Sequence, residues 1–152
     1  SINMVEYIFQ MKYTKKLFQQ LIDRAVEAAK NSWSPYSKYK VGAALLTTGG
    51  EIFSACNCEV ASYGLTDCAE SSLISKAVSE GMVRKYGRRF IKAIAVVTKD
   101  GVMCCGRCRQ RIVEHCDDCL IISGNLKGKI LKTTPLKKLL PQAFSPSSLG
   151  VD

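Results

Sequence analysis

Only one histidine and one tryptophan occur in the 152 residues. A metal site built from several imidazoles is therefore excluded, and His115 itself, near a predicted helix C-terminus, reads as a favourable end charge. No apolar run reaches the roughly eighteen residues that a membrane-spanning helix needs. The start shows no basic stretch leading into an apolar core and a small-residue cleavage site, so a cytoplasmic protein is expected. The stretch 1–11 reads as an N-terminal extension, either native or left over from expression, and 12–152 as one domain. Acidic residues are scarce, 13 against 22 Lys and Arg, for a net charge of +9. Such a balance raises a nucleic-acid partner, but the basic residues are scattered. Their densest group, Arg84, Lys85, Arg88 and Arg89, reads as a solvated connector between a helix and a strand. There is no internal repeat and no low-complexity segment.

What is plentiful is apolar and sulfur-bearing. Hydrophobic residues make up 47% of the chain, ample for one core, and there are eight cysteines. Without an export signal, metal ligation or redox chemistry is a better use for those thiols than a disulfide framework.

Hydrophobic spacing sets out the elements. Leu17, Leu21, Ala25 and Ala28 or Ala29 form a helical stripe over 14–32, ended by Pro35. Val41 to Leu46, the turn Thr47-Thr48-Gly49-Gly50 and the run from Glu51 to Cys58 predict a hairpin. Helical spacing returns from Cys68 to Gly81, with Gly81 as a C-terminal stop, and Ile91 to Val97 reads as a strand covered on both faces. A third helix after Gly106, strands at Cys119 to Ile122 and around Ile130, and a helical turn between Pro135 and Pro141 follow. The tail from Ser145 to Asp152 is expected to lie extended on the surface or on a neighbouring subunit. This order predicts an α/β fold, a three-layer α/β/α sandwich with a mixed central sheet of about five strands.

The chemistry concentrates in Cys68-Ala69-Glu70 and Cys105-Gly106-Arg107-Cys108, each at the start of a predicted helix. A Cys-x-x-Cys turn entering a helix lets two sulfurs face one ion, and the unpaired N–H groups there favour thiolate. With Cys68 added, three thiolates occupy three corners of a zinc tetrahedron and leave the fourth for water, as in catalytic rather than structural sites. Glu70 then lies beside the open corner as a proton carrier.

A wider set of motifs surrounds this core: Pro35-Tyr36-Ser37, Val41-Gly42-Ala43-Ala44-Leu45-Leu46, Asn57-x-Glu59, Tyr63-Gly64, Lys76-Ala77-Val78-Ser79-Glu80-Gly81, Cys108-Arg109-Gln110 and Leu139-Leu140-Pro141-x-x-Phe144-x-Pro146. In order and spacing the chain resembles the small homotetrameric zinc-dependent cytidine deaminases from Leu17 to Leu149. The resemblance implies one zinc ion per subunit on Cys68, Cys105 and Cys108, and a zinc-activated water that attacks C4 of cytosine. Glu70 would protonate N3 and the departing amine in the conversion of cytidine and deoxycytidine to uridine and deoxyuridine in pyrimidine salvage. It also implies ribose contacts from Asn57 and Glu59, a ring O2 contact from the Ala69 N–H, the Met103 carbonyl near the leaving amine, and pocket walls from Tyr39, Tyr63 and the Phe144 of an adjoining subunit. The substrate would be a small nucleoside, with active sites at the interfaces of a homotetramer and no membrane or nucleic-acid partner.

Departures from the family pattern leave alternatives open. Ser71 stands where three-cysteine members usually carry Arg, so Arg109 and the two helix N-termini become the candidates for balancing the thiolate charge, with Gln110 beside them. Cys104 stands for the usual Pro and suggests sensitivity to oxidation, while Tyr39 and Val60 alter the sugar side. A deaminase of a modified nucleoside or nucleoside antibiotic, a polynucleotide deaminase, and a structural four-sulfur zinc module on Cys105, Cys108, Cys116 and Cys119 are the competing readings. The last is disfavoured because a helix between the two pairs would hold them about 12 Å apart.

Overall fold

The computed structural model describes residues 3–151, without the side chains of 7–13. Helix α1 runs Met4–Lys30, starting well upstream of the expected stripe. Its start is encoded by a capping box, in which the Glu6 N–H donates to Asn3 Oδ1 at 2.9 Å and the Asn3 N–H donates back to Glu6 Oε2 at 3.3 Å. Leu21, Ile22, Ala25 and Ala29 form its fully buried stripe.

Five strands make one sheet in the order β2-β1-β3-β4-β5, with β1 Gly42–Thr47, β2 Ile52–Cys56, β3 Ile91–Thr98, β4 Leu120–Asn125 and β5 Ile130–Pro135. β1 is antiparallel to both β2 and β3, β3 and β4 are parallel, and β5 returns antiparallel to β4. The mixed sheet expected from sequence is what forms. The parallel pair needs a crossover, and α4, Gly106–Val113, supplies it. Alternation along the strands divides the core in two. Ala44, Leu46, Ala93, Ala95, Val97 and Ile122 face α1, while Ala43, Leu45, Ile94, Val96 and Ile121 face α2 (Ala69–Ser79) and α4.

Two regions differ from the sequence expectation. The basic connector contains a helical turn, α3 Met82–Tyr86, launched by Gly81 at φ 89°. Its charges are committed locally: Lys85 pairs with Glu51 at 2.6 Å and Arg88 donates to the Glu114 carbonyl at 2.7 Å. After α5, Leu136–Leu139, the tail forms a 3-10 turn at Pro146–Leu149 rather than lying extended, because Ser145 and Ser148 cap it reciprocally. His115 is also not the end charge expected: burial pushes its imidazole down toward the neutral form, and its ring lies 5.1 Å from that of Phe90.

The seat of α1 depends on the absence of a side chain at Gly42, where a Cβ would lie 1.9 Å from the Ala25 carbonyl oxygen and 2.8 Å from the Ala29 nitrogen. Both are backbone atoms that cannot rotate away. Gly42→Ala is expected to cost about 3 kcal/mol, the upper range for overpacking, and to lower the thermal midpoint by roughly 6–10 °C. An unchanged melting curve would show that the helix does not sit this close.

Candidate metal centre and substrate pocket

Cys68 is the N-cap of α2 and Cys105 the N-cap of α4, both in extended backbone conformation, and Cys108 lies in the first turn of α4. The two helix starts meet beyond the carboxyl end of β3, where a crossover sheet places ligand sites. The three Sγ atoms lie within 4.8 Å of one another, and they form the one group of three or more metal-type ligands found among the described residues. Zinc–sulfur bonds of about 2.3 Å in a tetrahedron put the sulfurs about 3.8 Å apart, so the cluster fits one ion with little adjustment. Cys116 and Cys119 stand outside that group, at the other end of α4, which removes the four-sulfur module.

Electrostatics favour thiolate at one member of the cluster. The hydrogen bond from the Cys108 thiol draws Cys68 down to about 6; burial opposes this, while Cys105 and the Arg107 charge add to it. The same bond, with burial, pushes Cys108 upward. Glu70, in the first turn of α2 and 3% exposed, has its carboxyl raised, first by burial and then by the Cys68 charge. A carboxyl held toward its neutral form beside a metal site can both take and return a proton.

Cys68, Glu70 and Cys105 open into a cavity of about 420 Å³ that is also lined by Tyr39, Asn57, Glu59, Tyr63, Ala69 and Met103. Every expected substrate-contacting residue except Phe144 is thus brought to one cavity. The segment carrying Asn57 and Glu59 is stitched on both sides. The Trp33 N–H donates to the Asn57 carbonyl at 3.2 Å, the Glu59 N–H to the Trp33 carbonyl at 2.8 Å, and Cys58 and Asp67 exchange two bonds at 3.0 Å. Strand alternation then turns Asn57 and Glu59 inward and leaves Cys58 exposed. Asn57 Oδ1 accepts from Ser32 Oγ at 2.5 Å and from the Val41 N–H at 2.9 Å, and its Nδ2 donates to the Tyr39 carbonyl at 2.9 Å. Glu59 accepts from the Ser37 hydroxyl and from the Tyr36 and Ser37 N–H groups at 2.9 and 3.1 Å. Burial pushes the Glu59 carboxyl up, but these bonds together outweigh it and hold the group below the usual carboxylate range.

Other expectations fall outside the cavity. Phe144 is 61% exposed and away from its own chain's pocket, with its carbonyl accepting from Gln110 Nε2 at 2.7 Å. Arg109 donates to the carbonyls of Cys104 and Leu139 at 2.8 and 3.0 Å, so it ties backbone together rather than bonding to the ligand sulfurs. Ser71 is buried with its Oγ unpartnered. Burial, helped by the Glu70 charge, raises the Cys104 thiol to about 11.

Arg107 was missed. From between two of the clustered cysteines its guanidinium donates to the Thr66 carbonyl at 3.2 Å and lies 3.9 Å from Asp67, the residue before Cys68. It spans the two sulfur-bearing turns and adds positive charge. Its only signal in sequence was a basic residue inside the Cys-x-x-Cys turn.

The family profile described as "Cytidine and deoxycytidylate deaminase zinc-binding region" matches residues 15–123. The chain belongs to this family. It is 45% identical over 135 residues to a cytidine deaminase of Halalkalibacterium halodurans, covering 87% of this chain and 97% of the relative. The crystal structure of a cytidine deaminase from Burkholderia pseudomallei superposes with a TM-score of 0.75 at 38% identity, covering 82% of this chain and 97% of that one. A blasticidin-S deaminase of Bacillus cereus is 35% identical over 118 residues, covering 72% of this chain and 79% of that protein. The family's cofactor is one zinc ion, and the Cys68, Cys105 and Cys108 cluster is compatible with it.

Removing the Arg107 brace should loosen the metal. With its side chain 57% exposed, the effect is held to about 1 kcal/mol. Arg107→Ala is expected to weaken zinc roughly fivefold in chelator competition, and Arg107→Lys, which keeps the charge, by less; equal affinity in all three proteins would remove Arg107 from the site. Protons should compete with the metal as pH falls, first at Cys108 and, below about 6, at Cys68 as well. Zinc affinity measured across a pH series is therefore expected to rise monotonically from acid to neutral, and a flat profile would contradict the thiolate assignment.

Proposed function

We propose that this protein hydrolyses cytidine and deoxycytidine to uridine and deoxyuridine with release of ammonia, in pyrimidine salvage. The observation that carries this is the buried carboxyl of Glu70 on the wall of a nucleoside-sized cavity beside the Cys68, Cys105 and Cys108 sulfurs. Zinc held by those three residues supplies the Lewis acidity that makes water a nucleophile near neutral pH.

The chain's own groups do the rest. Glu70 takes a proton from the attacking water, delivers it to ring N3 as C4 is attacked, and passes a second proton to the exocyclic amine so that it leaves as neutral ammonia. The Ala69 N–H, in the first turn of α2 and so without an intrahelical acceptor, is free to donate to the ring O2. The Met103 carbonyl accepts from the leaving amine. Asn57 retains one N–H on Nδ2 and Glu59 retains lone-pair capacity beyond its three bonds, and both are too firmly held to turn away from the sugar hydroxyls. A site whose buried polar groups need partners rejects ligands lacking them.

The same cavity argues against a polynucleotide substrate. Despite the net charge of +9, its wall carries Glu59, Asp67 and Glu70 and, among the described residues, no Lys or Arg, so a phosphate backbone finds no counter-charge on that wall. The assembly is proposed to be a homotetramer with Phe144 completing a neighbour's pocket, which accords with its outward exposure and with exposed Trp33, Tyr36, Tyr63 and Leu65. A second reading, a modified nucleoside or nucleoside antibiotic as substrate, is supported by Tyr39 and Val60 on the sugar side and by the blasticidin-S deaminase relative.

Glu70→Gln is expected to retain zinc, measured by metal analysis, while turnover of cytidine followed in the ultraviolet falls by at least about 10³-fold. The same carboxyl has a raised pKa in the folded chain, so its ionisation at neutral pH disfavours folding. Glu70→Gln should accordingly melt a few degrees higher than the parent above the unfolded carboxyl's titration, and the gap should close in acid. Undiminished turnover in the variant would sink the mechanism. Wild-type protein that ignores cytidine but turns over blasticidin S would transfer the assignment to the second reading, and conversion of a cytosine oligonucleotide at a comparable rate would overturn the exclusion of polymers.

A further inference from the structure

Cys116-Asp117-Asp118-Cys119 forms the bend between α4 and β4, and no part of the deamination chemistry uses it. The two sulfurs are hydrogen-bonded to each other at 2.7 Å, and the residues are 3% and 4% exposed. The bend is pinned from several directions. The Leu136 N–H donates to the Cys119 carbonyl at 2.9 Å, the Ile91 N–H to the His115 carbonyl at 3.1 Å, and the Lys137 N–H to Asp118 Oδ1 at 3.0 Å, while Arg89 pairs with Asp117 at 3.0 Å. The thiols are thus held together by the backbone around them.

They are also reachable. Cys116 lines a cavity of about 510 Å³ that shares no lining residue with the substrate pocket, walled by Val113, Leu136 and Leu140 and with Arg88, Arg89 and Lys137 among its lining residues. Both thiols are buried against apolar side chains, but one of them faces this opening. The hydrogen bond between the two sulfurs draws the Cys116 thiol below its ordinary value, against burial, and raises Cys119 in return. A nucleophilic sulfur beside a protonated partner, with a cavity leading to it, is the arrangement of an attacking and a resolving cysteine.

We propose that Cys116 and Cys119 are a redox-active dithiol, separate from the metal thiols, which hydrogen peroxide converts to an intramolecular disulfide and a low-molecular-weight thiol restores. The Cys116 thiolate attacks one peroxide oxygen and the O–O bond breaks; the departing hydroxide takes up a proton to leave as water, and Cys116 becomes a sulfenic acid. Cys119 sulfur then attacks the Cys116 sulfur, its proton leaves with the sulfenic oxygen as a second water, and the S–S bond forms. The sulfur pair loses two electrons and the peroxide gains two. Reduction by two equivalents of thiol reverses the bond through a mixed disulfide.

The test uses the zinc-loaded protein with hydrogen peroxide, followed by alkylation under denaturing, non-reducing conditions and tryptic mapping. The peptide 112–127, which contains both cysteines and no internal cleavage site, should appear unalkylated and lighter by two hydrogen atoms, and should return to its doubly alkylated form after dithiothreitol. In Cys119→Ser the sulfenic acid has no resolving thiol, so dimedone should label Cys116 there and not in the parent protein. The proposal is overturned if peptide 112–127 remains doubly alkylated at a peroxide dose that modifies half of the exposed Cys58, or if Cys119→Ser gives no dimedone adduct on Cys116. Mapping the parent protein alone decides the first point, so the result does not depend on the variant folding.

Discussion

Two helices that begin side by side are the constraint on which the site depends. Cys68 caps α2 and Cys105 caps α4, and each helix is carried to that place by a different strand connection, so three sulfurs from residues 37 and 40 positions apart converge only when the sheet is complete. Helix N-termini bring partial positive charge to the spot where thiolate charge must accumulate. The site is therefore a product of the tertiary fold, and the hydrogen bond between Cys68 and Cys108 pulls the first thiol down and pushes the second up.

The opposite wall is organised differently. Asn57 and Glu59 are polar groups buried at 7% and 4% exposure, and such burial is tolerated only with partners. Their partners are backbone groups of the turn around Tyr36 and Ser37 and of Tyr39 and Val41, together with the Ser32 and Ser37 hydroxyls. This division of labour leaves part of each side chain's capacity free toward the cavity while removing its freedom to move. Rigid acceptors and donors lose little entropy on meeting a ligand.

Much of the fold was legible because its signals are periodic. The buried stripe of α1, the β-branched run of β3 and the crossover helix at Gly106 all follow from spacing, and the cysteine pattern with Glu70 marked the metal centre. The short α3 was not legible, since Arg84 and Lys85 speak of solvent and a single turn leaves almost no period to read. The capping box of Asn3 and Glu6 was written plainly but lay in a stretch set aside as an extension. Arg107 and Arg109 exchange the importance expected of them for a reason no spacing carries: their side chains leave α4 in different directions, one toward Thr66 and the other toward Leu139. Likewise burial pushes His115 toward its neutral form, and its ring packs on Phe90, a contact between positions 25 residues apart.

The contact between Gly42 and the backbone at Ala25 and Ala29 has a consequence at a distance. Small residues on both surfaces let helix and strand interlock like adjacent teeth, so α1 cannot slide by one residue without driving Val26 or Lys30 into a gap that accepts no side chain. Because the chain leaves α1 directly into Ser32, whose hydroxyl supports Asn57, that interlock sets the coordinate from which the sugar-facing wall is measured. An enzyme of this shape can vary its surface freely and still keep the depth of its pocket constant, as long as that one position stays bare.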